Sequence, residues 1–139
     1  MVPLLCCVRR RIGIRGEFLL ALALLDFVNA YRLTWPSPET SMTPTGQFLA
    51  ALAPLPVWGA VWAAVGGLCL VQAFAAHDRW AFAAASALKV GWALLHAAAW
   101  LWGVPQAWWS VVIWLGFARV VHTIAKVPEA TTPSLPNER

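Results

Sequence analysis

Long apolar stretches alternate along this chain with short clusters of Pro, Gly, Ser, Thr and charged residues. The stretches are too long for strands. Crossing a hydrocarbon core of roughly 30 Å takes about 20 helical residues at 1.5 Å each, because unpaired backbone groups are intolerable in lipid. Four stretches come near that length, at 17–33 (EFLLALALLDFVNAYRL), 57–76, 80–103 and 106–124. The pattern predicts an all-α, polytopic membrane protein, a single domain over 1–139 with four transmembrane helices.

The linkers carry the helix breakers. TWPSPETSMTPTG, with Pro36, Pro38 and Pro44, reads as an exposed loop between the first and second spans. GQFLAALAPLP follows and is too short to cross before Pro54 and Pro56 interrupt it. Residues 47–53 are therefore predicted as a short interfacial helix before the second span, the alternative being one long kinked helix from Gln47. His77-Asp78-Arg79 is a tight turn between the second and third spans and Gly103-Val104-Pro105 one between the third and fourth, so both pairs are expected to be antiparallel hairpins, two in all. The tail 128–139 (PEATTPSLPNER) is expected to be disordered.

Composition excludes a water-soluble globule. Of 139 residues 60% are hydrophobic and 12% charged, with ten Trp and a mean hydropathy of +0.66, against roughly 25% charged residues in soluble domains. The net charge of +4 is concentrated rather than spread. Arg9, Arg10, Arg11 and Arg15 precede the first span, Arg79 lies in the second turn, and Arg119 and Lys126 end the fourth span. All fall on one side of an even-numbered topology, which by the positive-inside rule puts both termini in the cytoplasm of a bacterial cell. Trp35, Trp58, Trp100, Trp102, Trp108 and Trp109 cluster near the outer ends and Trp80 marks an inner one. The basic flank suits anionic headgroups and gives no indication of nucleic-acid binding. In MVPLLCCVRRR the charge follows the apolar start, the reverse of a signal peptide, so the first span is expected to be an uncleaved anchor.

Little of the chain carries reaction chemistry. Cys6, Cys7 and Cys69 form neither an even disulfide framework nor a CxxC pair, and HExxH, P-loop, nucleophile-elbow and paired zinc-ligand patterns are missing. No enzyme activity, metal or cofactor is expected. Two ionisable residues lie near mid-span, where each costs about 2.5–3.5 kcal/mol. Asp26 in the first span and Lys89 in the third, in helices running the same way, reach similar depths and can meet. Asn29 shares the face of Asp26, and Lys89, Trp92, Ala93 and His96 follow helical spacing, so a polar seam joins the two spans. The seam is either a proton or ion relay or an interhelical clamp; one Asp neutralising one Lys leaves no vacant charge, which favours the clamp. Gly59, Ala63 and Gly67, then Ala83, Ala87 and Gly91, recur at four-residue spacing and predict helix-packing faces.

WGAVWAAVGGLCLVQAF (58–74), HDRWAFAA (77–84), WALLHAAAWLWG (92–103), AWWSVVIWLGFARVV (107–121) and the closing Val-Pro-Glu at 127–129 resemble small four-span membrane proteins of actinobacteriophages. A usage rich in Gly, Ala, Arg and Pro and poor in Ile, Asn and Lys has the direction of a GC-rich genome and fits that source. The resemblance covers roughly the last two thirds of the chain; where the group closes on a Gly-Trp-Pro-Glu-like tail, this chain has Lys126-Val127-Pro128-Glu129. It implies a membrane protein of the host cytoplasmic membrane, many of that group having no activity assigned. A non-catalytic, holin-like or otherwise membrane-perturbing role, with the bilayer and further copies of the chain as partners, is expected from the small size, the basic N-terminal flank and the small-residue packing faces. Two rival expectations are a small proton-coupled transporter, since small multidrug resistance transporters place an acid in the first span, and a superinfection-exclusion protein.

Overall fold

The computed structural model describes residues 13–75 and 77–128, and among them all regular structure is helical. Cys6, Cys7, Arg9, Arg10, Arg11 and the tail from 129 onward lie outside the described residues. The helices are α1 (Ile14–Thr34), α2 (Pro38–Met42), α3 (Pro44–Leu52), α4 (Leu55–Gln72), α5 (Arg79–Leu101) and α6 (Ala107–Ile124).

The segment expected to be a plain loop contains α2, and α3 begins before the predicted residue 47. The cause is local. Ser37 and Thr43 accept from the Thr40 and Gly46 N–H groups, while Pro38 and Pro44 stand at first-turn positions where a missing N–H costs nothing. Extended backbone at Ala53 and Pro54 separates α3 from α4, so there is no continuous helix from Gln47. The Trp58 indole donates to the Leu49 carbonyl at 3.2 Å and ties the two together. α4 stops at Gln72, short of the predicted residue 76, where the Gln72 side chain accepts from the Ala81 N–H at 2.8 Å. α5 ends in a Schellman turn: Gly103, at φ 93°, donates to Trp100 and Val104 donates to Ala99.

Among the described residues α4, α5 and α6 are long and apolar enough to cross a membrane. α1 has the length, 21 residues or about 31 Å, but carries Arg15, Glu17, Asp26 and Arg32. It packs chiefly on α4, and α5 packs chiefly on α6. Gly59 lies against Ala30 and Thr34 while Gly66 lies against Ala23 and Asp26, so α1 and α4 run antiparallel. α5 runs parallel to α1, with Phe82 stacked on Phe18 and Lys89 level with Asp26. Two apolar clusters result. One gathers Leu19, Leu22, Cys69, Phe82 and Val121; the other gathers Leu33, Leu49, Leu55, Trp62 and Trp92, and Asp26 and Lys89 lie between them.

The small-residue stripes are only partly those expected. A Cβ on Gly59 would come within 2.4 Å of Thr34 Oγ1 and 2.9 Å of the Ala30 carbonyl, and one on Gly66 within 3.2 Å of the Asp26 Cβ. Gly67 and Gly91 have nothing within 4 Å of such a carbon, and Ala83 and Ala87 are exposed, while Ala63 is half-buried. The packed face of α4 is thus Gly59, Trp62, Gly66 and Cys69, and that of α5 is Ala81, Ala85, Lys89, Trp92, Ala93, His96 and Ala99. Gly59 falls on the packed face, but that face of α4 then advances by three and four residues to Trp62, Gly66 and Cys69, and on α5 the packed Ala81 and Ala85 are offset by two residues from Ala83 and Ala87; alanine is frequent on every side of α5 and cannot mark a face.

Gly59→Ala and Gly67→Ala gain the same helix propensity, so their difference reads packing alone. Thermal unfolding in one detergent should place Gly59→Ala below Gly67→Ala by about 1–3 kcal/mol; equal midpoints would refute close packing at Gly59.

Candidate functional site

The centre of the bundle is an ion pair. Lys89 Nζ donates to Asp26 Oδ1, and both side chains are 0% exposed. Gly66 makes the arrangement possible, since its missing side chain lets α4 approach α1 at the Asp26 Cβ. The Lys89 ammonium also lies 4.6 Å from the centroid of the buried Trp62 ring, a cation–π contact strengthened by desolvation. Asp26 Oδ2 and Trp62 Nε1 are buried beside the pair without a hydrogen-bond partner.

Trp62 was not singled out by the sequence, although it lies on the Gly59 and Gly66 face. It meets Trp92 edge-on at 5.3 Å and Trp114 at 5.2 Å, and Trp92 meets Trp58 at 5.9 Å. Trp58, half-buried in the first turn of α4, therefore packs into this cluster. Trp35, Trp100, Trp102, Trp108 and Trp109 remain exposed.

A second ion pair lies toward the basic end. Arg15 Nη2 donates to Asp78 Oδ1 at 2.6 Å, and Arg15 Nη1 reaches the Val127 carbonyl at 3.4 Å. Arg15 and Asp26 on α1 are 11 residues apart, as are Asp78 and Lys89 on the partner segment. Eleven residues make about three turns, so each pair of charges shares one face. The order is plus then minus on α1 and minus then plus opposite it. Antiparallel alignment would bring Arg15 to Lys89 and Asp26 to Asp78, so the pattern selects parallel helices in one register.

Asn29 and His96 do not join the buried pair. Asn29 Nδ2 donates to the Leu25 carbonyl at 2.9 Å, and His96 Nδ1 lies 2.8 Å from the Trp92 carbonyl. A carbonyl only accepts, so Nδ1 carries the hydrogen and, in the neutral ring, Nε2 is left as an acceptor. Both residues line a cleft of about 250 Å³ with Arg32, Thr40, Ser110 and Trp114. The expected seam therefore divides into a sealed ion pair and a polar cleft ending about one turn from Asp26. Of the topology cations among the described residues, Arg79, Arg119 and Lys126 are exposed and Arg15 is held in an ion pair. Among the described residues no group of His, Cys, Asp and Glu is arranged to hold a metal. No protein family matches the chain, and no curated protein sequence or solved structure is significantly similar to it.

Lys89→Met leaves a buried unpaired carboxylate and should cost about 3–5 kcal/mol, whereas Asp26→Leu with Lys89→Met should recover most of that loss. Thermal unfolding of the detergent-solubilised variants gives the comparison; a double variant as unstable as the single would contradict the clamp.

Proposed function

We propose that the chain is an integral membrane protein that crosses the bilayer four times, with α1 as the fourth span, and that it acts by assembly in a bacterial cytoplasmic membrane and not by catalysis. The observation that carries this reading is its inverted polarity. Asp26 and Lys89 are sealed inside, while Leu24, Val28, Val61, Val90, Leu94, Val112, Ile113, Leu115 and Phe117 face outward. In water such a surface would be a large aggregation hazard; in lipid it is the stable solution. The charges of α1 do not oppose insertion as their number suggests, because Asp26 is neutralised by Lys89 and Arg15 by Asp78.

In this reading α4 with α5 and α5 with α6 are antiparallel hairpins across the two tight turns, and α1 packs antiparallel on α4 across the longer linker. Arg15, Arg79, Arg119 and Lys126 lie at one end and Arg32 with Glu39 toward the other, so the positive-inside rule places the termini in the cytoplasm. α6 buries only Ala107, Ala118 and Val121 among its residues and leaves a broad apolar face for further copies of the chain. A holin-like, membrane-perturbing role in a phage or prophage setting combines this face with the sequence resemblance. One observation favours a second reading, proton-coupled transport: Asn29 lines the outer cleft about one turn above Asp26, and Ser86 lines an inner cleft about one turn below Lys89.

Induced expression in an actinobacterial host, with a potential-sensitive dye, should collapse the membrane potential and arrest growth. Unchanged potential and growth at high expression would remove the holin-like role. A proton flux abolished by Asp26→Asn in folded protein would establish the transport reading in its place.

A further inference from the structure

We propose that the cleft between the start of α5 and the end of α6 binds the phosphate-bearing headgroup of an anionic glycerophospholipid. The cleft holds about 250 Å³ and is lined by Arg15, Arg79, Phe82, Ala83, Ser86 and His122. Its charge is unbalanced: Asp78 is taken by Arg15, while Arg79 and His122 have no hydrogen-bond or ion-pair partner among the described residues. Arg15 lines the cleft as well, its Nη groups being held by Asp78 and the Val127 carbonyl.

Ser86 points the same way. Helical hydroxyls surrounded by apolar surface ordinarily bond back to the carbonyl four residues earlier, as Thr34 and Thr123 do here at 2.8 and 2.9 Å. Ser86 makes no such bond and lines the cleft. The start of α5 adds its own field: the Gln72 side chain takes the Ala81 N–H, but Asp78 makes no side-chain cap, and Arg79 at the positive end of the 23-residue helix lines the cleft. A guanidinium, an imidazole, a hydroxyl and a helix N-terminus around one cleft, its remaining wall formed by Phe82, Ala83 and Ala125, are the donor set of a phosphate oxyanion.

Position selects a lipid as the source. Arg79 begins one candidate span and His122 falls in the last turn of another, the level at which headgroups sit. Trp80, 71% exposed beside Arg79, has the placement of an interfacial aromatic. Below the cleft, Ala83 and Ala87 are exposed and Gly91 has an open Cβ position. This shallow apolar track on α5 accommodates the acyl chain attached to a phosphate held above it, and gives the outward-facing small residues a use that packing within the chain does not.

The inference rests on the bilayer-spanning reading, and the two fail differently. Native mass spectrometry of the purified protein in mild detergent, titrated separately with phosphatidylglycerol, phosphatidylcholine and inorganic phosphate, should show one phosphatidylglycerol retained at concentrations where phosphatidylcholine is lost. Arg79→Gln should weaken phosphatidylglycerol roughly fivefold, and Arg79→Gln with His122→Gln more than tenfold, with lipid-free thermal midpoints unchanged. Arg119→Gln and Lys126→Gln, at the same end but outside the cleft, should bind as wild type. Equal binding by Arg79→Gln and wild type, or equal losses in Arg119→Gln, would overturn the site. Inorganic phosphate bound as tightly as phosphatidylglycerol would overturn the lipid. Protein dispersed without detergent would overturn the spanning reading itself.

Discussion

Two charges taken out of water inside a helical bundle are tolerated only together, and the contact between Asp26 and Lys89 sets conditions on the helices around it. α1 must come close enough to α4 for Asp26 to be covered, which the bare backbone of Gly66 permits. α5 must present Lys89 at the same depth, and Trp62 must offer its ring face to the ammonium. Removing one charge leaves the other stranded at a cost well above the net worth of the pair. The pair is therefore better understood as a specification of geometry than as a source of stability.

That specification is completed by Arg15 and Asp78. A single ion pair fixes a depth but not a direction, since a helix can turn end over end about one contact. A second pair of opposite polarity, 11 residues away on both segments, removes that freedom. Apolar packing in lipid supplies little register information of its own, because lipid tails are as apolar as the side chains they compete with. The Trp62, Trp92 and Trp114 cluster on one side of the pair and the stacked Phe18 and Phe82 on the other then fill a space whose register is already set by charge.

The all-helical character was readable because apolar runs of near-span length between Pro and Gly clusters have few alternatives. That Asp26 and Lys89 lie at similar depth and can meet was readable from helical rise, once both helices were taken to run the same way; that they do meet depends on how each helix is rotated, which rise does not give. Arg15 and Asp78 were not recognised as partners. A basic residue before a span and an acid in a turn each have a sufficient local explanation, and nothing local joins them. Gly66 was passed over for Gly67 because a strict four-residue repeat from Gly59 lands on Gly67, whereas a helical face advances seven residues in two turns and reaches Gly66. The burial of Asp26 against one of them decides. In the Pro-rich linker the residues that break helices elsewhere start them, because Ser37 and Thr43 stand one residue ahead of Pro38 and Pro44.

The sealed pair also bears on how the proposed roles differ physically. Polar clefts approach it from both ends, through Asn29 on one side and Ser86 on the other, and the apolar clusters close the remaining path. A relay has to separate Asp26 from Lys89 in each cycle, and removing one partner of a buried pair ordinarily costs about 3–5 kcal/mol. Transport is affordable only if water or a substrate cation replaces the lost partner at once. Assembly makes no such demand: the pair stays closed, the register stays fixed, and the apolar face of α6 acts while the interior is undisturbed. The internal electrostatics therefore favour a rigid unit working through its surface.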